Sequence, residues 1–598
     1  MQGTLKVHSE NILPIIKKWL YSEKEIFLRE LVSNASDALF KRSALDQGKE
    51  PGRIDISIDR ENKTITIADT GLGMDLEEVE KYIAQVAFSG AKEFAEQYAK
   101  EETDSQIIGH FGLGFFSAFM VASRVEIDTL SYKEGSSPVF WSSEGSSTYE
   151  IAEGKRSSIG TSVTLFLEEA SCEYLEEKTL ADLLKKHCSY LSYPIYLEDK
   201  LLSHTTPLFL RPAGECSEKD YLAFYRELYP QDPDPLFWIH VQIDFPFHVR
   251  GVFYFPKMHK GFDFQSNQLH LYCNRVFVAD SCKDLLPDYL MVLKGAMDSP
   301  DIPLNVSRSY LQMDKTVRSL GQHIAKKITQ KLQTMHAKEK EKFLEIWPEI
   351  EMVIKLGILQ ETSLYDKAKN FLLWQTLDGT WVSLEEIRSQ GKKTVYYTTK
   401  DAQDLGISSL YKEKGIDVLL IHPVIDNPLM QRLEETLGLT FRRTDAALEE
   451  AFLDASREKT LLDDSGRSGA ALIADFIASS LDEKDLRVEA KSLASEKVPA
   501  LFVIDEENRR LKEFLMTHGK GDSLPQLPQK NTFVVNTNHP IITKAFALKK
   551  TQPKLAKKMI SYLYDLTRLS HKELTRKDWG AHIAKSQEML EDMMQQIP

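Results

Sequence analysis

The sequence predicts an α+β chain of several domains, opening with helices laid on one face of a mostly antiparallel sheet. Three observations lead there. A long helical pattern from Ser22 to about Phe40 is followed by short runs of strand character as far as Leu167. The length, 598 residues, suggests about four domains, or three larger ones. The end of the chain, Leu555–Leu569 and Ala584–Met594, alternates apolar and polar residues at helical spacing.

Composition narrows the class. The net charge of −14 opposes a dedicated nucleic-acid binder, whose footprint is basic. Cys172, Cys188, Cys216, Cys273 and Cys282 form no CxxC pair and read as reduced, buried thiols. The first residues, Met1 to Lys6, lack a signal-peptide layout, and no run of about 18 apolar residues occurs. The expected setting is the cytoplasm, with no membrane and no nucleic-acid partner.

Taken in order, residues 11–20 read as a short helix with Pro14 in its first turn. Ser22-x-x-Glu25 is a capping-box pattern for the main helix. On that helix Glu30, Asn34 and Asp37 fall within an arc of roughly 60°. Phe27, Leu28, Leu31, Val32, Ala35, Ala38 and Leu39 form the wider core stripe. A carboxylate, an amide and a second carboxylate in one column suit a metal-bound phosphate. Asn34 would be an oxygen ligand for Mg²⁺, Glu30 a base for water and Asp37 a hydrogen-bond acceptor. A solvated polar face is the alternative.

Ile54–Ile58 and Thr64–Ile67 alternate around a polar Asp59–Asn62, which predicts a hairpin. The second run ends in Asp69-Thr70-Gly71-Leu72-Gly73-Met74. Its glycines allow close backbone approach to a ligand, and Asp69 could accept from an exocyclic amine such as that of adenine; a plain turn is the alternative. A helix is expected from Leu76 to about Val86. Gly109, Gly112 and Gly114 are spaced G-x-x-G-x-G before an expected apolar helix, Phe115 to Val121. That arrangement suits an anion at a helix start, or only a tight turn. Val125–Leu130, Val139–Trp141 and Ser162–Leu167 read as strands, the last opened by Gly160-Thr161.

Glu30…Asn34, Asp69-x-Gly-x-Gly, the Gly109–Gly114 loop and Gly160-Thr161, in this order, resemble the ATPase domain shared by gyrase B subunits, sensor histidine kinases, MutL proteins and the ninety-kilodalton heat-shock chaperones. Phe27–Ala38 and Ile108–Phe119 resemble the chaperone signatures almost letter for letter. The resemblance implies that Glu30 polarises the attacking water, Asn34 holds Mg²⁺, and Asp69 binds the adenine amine with Thr161 in support. Met74 would pack on the base. Gly109, Gly112, Gly114 and Phe115 would offer backbone contacts to the phosphates, with Asp37 and Lys92 in the same nucleotide site. The lid would run from about 88 to 112. His110, Phe116, Phe88 and Ser309 replace the family's usual Gln, Tyr, Lys and Glu.

The same resemblance divides the chain into an ATP-binding domain at 1–200, a linker at 201–220, an α/β middle domain at 221–484, and a mostly helical dimerisation domain at 485–598. Val252–Pro256 and Leu271–Val278 read as strands, and Asp417–Ile421 as a buried strand. In Asp301–Gln312, Arg308 would reach the γ-phosphate with Gln312 nearby, a planar charged fork suited to phosphate oxygens. Asn536–Pro540 matches the turn before the final helices. Leu511 and Phe514 would meet clients, with a buried role as the alternative. The acidic tail of eukaryotic relatives is not seen in Gln595–Pro598, so helper proteins that read it are not expected. The implied function is that of an ATP-dependent molecular chaperone. It would be a homodimer acting on unfolded or partly folded clients, with a cooperating chaperone system as a further partner. A DNA-transaction ATPase and a nucleotide-binding holdase without turnover are the alternatives.

Overall fold

The computed structural model describes residues 23–46, 52–85, 88, 108, 112–146, 148–203, 206–245, 248–258, 268–281, 285–302, 315–399, 406–446, 448–454, 456–457, 468–481, 483, 486–503, 531–570 and 576–594. They fall into two compact units, 1–349 and 350–598. The expected helix at 11–20, Ser22, Lys92, Gly109, Arg308, Gln312, Leu511, Phe514 and nearly all of the lid lie outside the described residues.

The first unit opens with helix α1, Ile26–Asp46. It runs past the expected end at Phe40 because neither Gly nor Pro interrupts Lys41–Asp46. Strands β1 (Ile54–Asp59) and β2 (Thr64–Asp69) form the expected antiparallel hairpin, with Ile56 opposite Ile67. After helix α2 (Leu76–Tyr82) come β3 (Ala122–Leu130), β4 (Val139–Ser143), β5 (Glu150–Glu153) and β6 (Gly160–Leu167). Helix α3 (Glu177–Cys188), β7 (Ile195–Leu197) and β8 (Lys200–Ser203) complete the layer. The sheet order is β5-β4-β3-β6-β2-β1-β7-β8, antiparallel throughout except for β1 beside β7.

Alternation explains the packing. Ile54, Ile56, Ile65 and Ile67 are buried in one core with Phe27, Leu28, Leu31, Val32, Ala35 and Leu39 of α1. The thiol of Cys188 joins that core, and burial pushes it up to about 12, as expected of an inert structural cysteine.

Three expectations need correction. The apolar segment after the glycines is a 3₁₀ helix, Gly114–Met120. Ser117 Oγ donates to the Gly114 carbonyl at 2.6 Å, competing for the acceptor an α-helix would use. The stretch 201–220 is not an open tether: β8 extends the sheet there, and Leu208 and Phe209 are buried in a second core. Their apolar side chains supply that burial. Finally, Leu271–Val278 is a hairpin, β11 (Gln268–Cys273) and β12 (Val276–Ala279), turned by Asn274 and Arg275 at φ 50 and 65.

That hairpin belongs to a sheet ordered β12-β11-β13-β10-β9, with β9 Phe237–Ile243, β10 Val249–Phe255 and β13 Lys294–Asp298. Helix α4, Glu218–Leu228, packs Tyr221, Phe224 and Tyr225 into its core. A reciprocal cap between Ser217 and Asp220 starts the helix.

The second unit holds a sheet ordered β15-β14-β17-β16-β18: β14 Leu373–Thr376, β15 Trp381–Ser383, β16 Thr394–Thr399, β17 Val418–Ile421 and β18 Thr440–Arg443. The expected strand at 417–421 is β17, buried along its length. A last sheet, β19-β21-β20, comprises Arg487–Lys491, Thr532–Asn536 and Ala500–Val503. Its core takes in Phe476 and Ile477 of helix α5 (Gly469–Ser480), ahead of the expected boundary at 485. Buried Asn536 donates to the Ser495 and Val498 carbonyls and anchors the turn into α6 (Pro540–Leu548), α7 (Pro553–Ser570) and α8 (Arg576–Met594).

Candidate active site

The site is built on the polar column of α1, and that column is not a solvated face. Glu30 and Asp37 are buried while Asn34 between them is exposed. A buried carboxylate needs partners. Glu30 finds one in Arg29, itself buried, whose Nη2 and Nε donate to Glu30 Oε1 at 2.9 and 3.2 Å. Glu30 Oε2 has no hydrogen-bond partner among the described residues and faces Gly114, where an added Cβ would sit 2.7 Å from it. Asp37 Oδ1 accepts the Ile108 N–H at 2.8 Å, fastening the glycine loop to the helix. Burial lowers the pKa of Lys41, and the Asp37 and Glu78 carboxylates work against that by favouring its charge.

The end of β2 lies against α1. Asp69 is buried, and its Oδ1 accepts the Gly71 N–H at 2.7 Å. Burial pushes its carboxyl up to about 6; the Gly71 and Thr161 N–H groups and the guanidinium groups of Arg156 and Arg42 oppose that rise. Gly71 lies so close to α1 that a Cβ would meet the Ala38 Cβ at 2.6 Å. Gly73 has φ +62, and a Cβ there would lie 1.8 Å from the Leu130 carbonyl oxygen. Asp69 and Thr161 are cross-strand partners on β2 and β6. Thr161 Oγ1 lies 3.0 Å from Thr129 Oγ1, and Thr129 Oγ1 also accepts the Met74 N–H at 2.9 Å.

Gly112 has φ +62, and a Cβ there would overlap the Phe88 backbone at 2.3 Å. The Phe115 side chain is buried edge-to-face on Trp141, with centroids 5.6 Å apart, so only its backbone can serve a ligand. Phe88 stacks on Tyr82, and Lys81 Nζ lies 5.5 Å from its ring centre.

Among the residues expected in the site, Glu30, Asn34, Asp37, Asp69, Met74, Gly112, Gly114, Phe115 and Thr161 lie on α1, the β2 turn, the glycine loop and β6. Sequence reasoning singled out none of Thr129, Arg42, Arg156 or the Ile108 amide. Thr129 had a signal, being a polar β-branched residue at an inward position of an alternating strand. The arginines had none, since each acts on a carbonyl distant in sequence. Among the described residues no group of three or more His, Cys, Asp or Glu could hold a metal. Exposed Asn34, between Glu30 and Asp37 on α1, offers a hard amide oxygen, and a phosphate-bound Mg²⁺ needs only one or two ligands from protein.

A family model described as Hsp90 protein matches residues 197–596, and one described as histidine kinase-, DNA gyrase B- and HSP90-like ATPase matches residues 21–164. The chaperone protein HtpG of Bacteroides fragilis is 37% identical over 577 residues, which is 91% of this chain and 84% of that protein. The HtpG of Porphyromonas gingivalis is 36% identical over 582 residues, 92% and 85% of the two chains. A TNF receptor-associated protein 1 homolog, mitochondrial, from Dictyostelium discoideum is 29% identical over 592 residues, 94% and 82%. The ATPase match spans α1 through most of β6, the second match covers most of the rest, and the chain accordingly belongs to the Hsp90 family of ATPases.

Proposed function

We propose that this ATP-dependent molecular chaperone works as a homodimeric clamp that hydrolyses ATP to drive its cycle on unfolded or partly folded client proteins. The observation that carries the catalytic part is the uneven treatment of the two Glu30 oxygens. Arg29 fixes Oε1, and Oε2 is left beside Gly114, where the glycine loop ends and the 3₁₀ helix begins. A carboxylate so held is oriented to take a proton from water attacking the γ-phosphorus. Asp69 accepts the adenine amine, Thr161 supports it, and Met74 packs on the base. Backbone N–H groups of Gly112, Gly114 and Phe115, with Gly109, receive the phosphates, and Lys92 adds a counter-charge. Asp37 contributes by fastening the loop at Ile108. Asn34 would hold Mg²⁺, which when bound neutralises phosphate charge. Arg308 and Gln312 complete the γ-phosphate contacts.

Helix α8 supports the dimer. Trp579, Ile583, Leu590 and Met594 lie on one side of it, each more than half exposed. Two such faces would bury each other across a two-fold axis. No helix among the described residues is long and apolar enough to cross a membrane, and the cytoplasm is the proposed setting.

Glu30→Ala tests the mechanism. Equilibrium ATP binding should persist while steady-state turnover nearly vanishes; normal turnover would remove Glu30 as the base. The same assay on the wild type separates this reading from a holdase without turnover. Trp579→Asp should convert the dimer to monomer in sedimentation velocity, and an intact dimer would place the contact elsewhere.

A further inference from the structure

We propose that Arg156 is a positioning residue for nucleotide recognition: with Arg42 it clamps the end of β2 so that the Asp69 carboxylate meets the adenine amine ionised and correctly aimed. This rests on the reading of Asp69 given above.

The carbonyls of Asp69 and Thr70 stand where β2 leaves the sheet, and each takes a guanidinium. Arg156 Nη2 donates to the Asp69 carbonyl at 2.8 Å, and Arg42 Nη1 to the Thr70 carbonyl at 2.6 Å. One arginine comes from the β5–β6 connection and the other from α1, so the strand end is held from two elements. Arg156 is itself fixed. Its Nε donates to the Ser158 carbonyl at 3.1 Å, its Nη1 to Ser162 Oγ, and its backbone N–H to Asp128 Oδ1 at 3.3 Å. Gly160 makes the approach feasible. At φ +129, a Cβ there would lie 2.1 Å from the Asp69 carbonyl oxygen and 2.9 Å from Arg156 Nη2.

Charge adds to geometry. Asp69 is buried, which favours its neutral form, and Arg156 is the first of the two cations that counter this. A protonated Asp69 would carry an O–H where the adenine amine also brings donors. The surrounding charges leave this pairing undisturbed. Asp128 is engaged by the Lys155 and Arg156 N–H groups, and the Arg53 guanidinium is paired with Asp55 at 2.9 Å.

The experiment measures ATP affinity against pH by calorimetry, with steady-state KM and kcat, on full-length wild type, R156A, R156Q, R156K and D69N. In the wild type, affinity should fall on the acid side as Asp69 protonates. R156A should raise KM about tenfold, as expected for one lost charged hydrogen bond, with kcat changed far less. Its acid limb should move to higher pH. R156Q should move the limb likewise, whereas R156K, which keeps the charge, should restore it. Weakened binding with an unmoved limb would reduce Arg156 to a fold-supporting role and overturn the inference, as would wild-type affinity in R156A. Undiminished binding by D69N would instead overturn the reading of Asp69 itself. Should R156A fail to fold, the contrast between R156Q and R156K decides the matter alone.

Discussion

Gly114 can be changed without asking the backbone for anything unusual. It begins the 3₁₀ helix Gly114–Met120 and is not in the left-handed region. An alanine there would place its Cβ 2.7 Å from Glu30 Oε2 and 3.4 Å from Glu30 Cβ. The carboxylate must therefore yield by about 0.7 Å to reach ordinary contact. It cannot simply turn away, because Oε1 is held by Arg29 at 2.9 Å. A displacement of about 1 Å at a reacting group costs roughly a hundredfold, so G114A should lower kcat by roughly 30-fold. ATP affinity should hold within about threefold, since the loop's proposed contacts are backbone N–H groups. Stability should fall, because the buried Glu30–Arg29 pair must shift, with lost chain entropy in the unfolded state offsetting only about 0.5 kcal/mol of that. The assay is a coupled ATPase measurement at saturating ATP and Mg²⁺, with calorimetric affinity and a thermal melt alongside. A folded G114A that binds ATP and turns over at the wild-type rate would show that Oε2 does not take the proton.

Further outcomes follow from other buried charges and from the clamp. In the second unit Lys355 Nζ lies 2.8 Å from Asp426 Oδ1 and 3.2 Å from Glu351 Oε2, all three buried. Lys355→Met removes the cation shared by two buried carboxylates, leaving Asp426 only its bonds from Trp374 and the His422 N–H, and should cost about 3–5 kcal/mol, read by chemical denaturation followed through tryptophan fluorescence. A loss under about 1 kcal/mol would contradict this account. In the first unit, burial pushes the Asp298 carboxyl up to about 6, against the Arg275 N–H and guanidinium. The folded value lies above the unfolded one, so this contribution is complete below about pH 4 and disappears as pH rises through about 6. Asp298→Asn should therefore gain up to about 3 kcal/mol at neutral pH and remove that slope from the urea midpoint. Equal slopes in both proteins would refute it. A non-hydrolysable ATP analogue should reduce the radius of gyration of the full-length dimer in small-angle scattering, and an unchanged radius would end the clamp reading.

Much of the first layer was legible in the sequence because its signals are local. Alternating Ile54, Ile56, Ile65 and Ile67 define a hairpin face, and the apolar stripe from Phe27 to Leu39 defines the helix that covers it. The order of the carboxylate helix, the Asp69 turn, the glycine loop and Gly160-Thr161 was enough to point to a nucleotide site. Two local signals misled. Ser117's return bond to Gly114 tightened an expected α-helix, and Leu208 and Phe209 drew a supposed linker into a core.

By itself, then, the sequence determined the β1–β2 hairpin, the helix that covers it and which residue types stand ready on them. Tertiary structure alone decided which Glu30 oxygen Arg29 holds, that Asp37 accepts the Ile108 N–H, and that two arginines hold the Asp69 turn. The physical reason is distance along the chain. Asp37 meets Ile108 across 71 positions and Arg156 meets Asp69 across 87, and no periodicity reports contacts that only a folded sheet and its covering helix bring together.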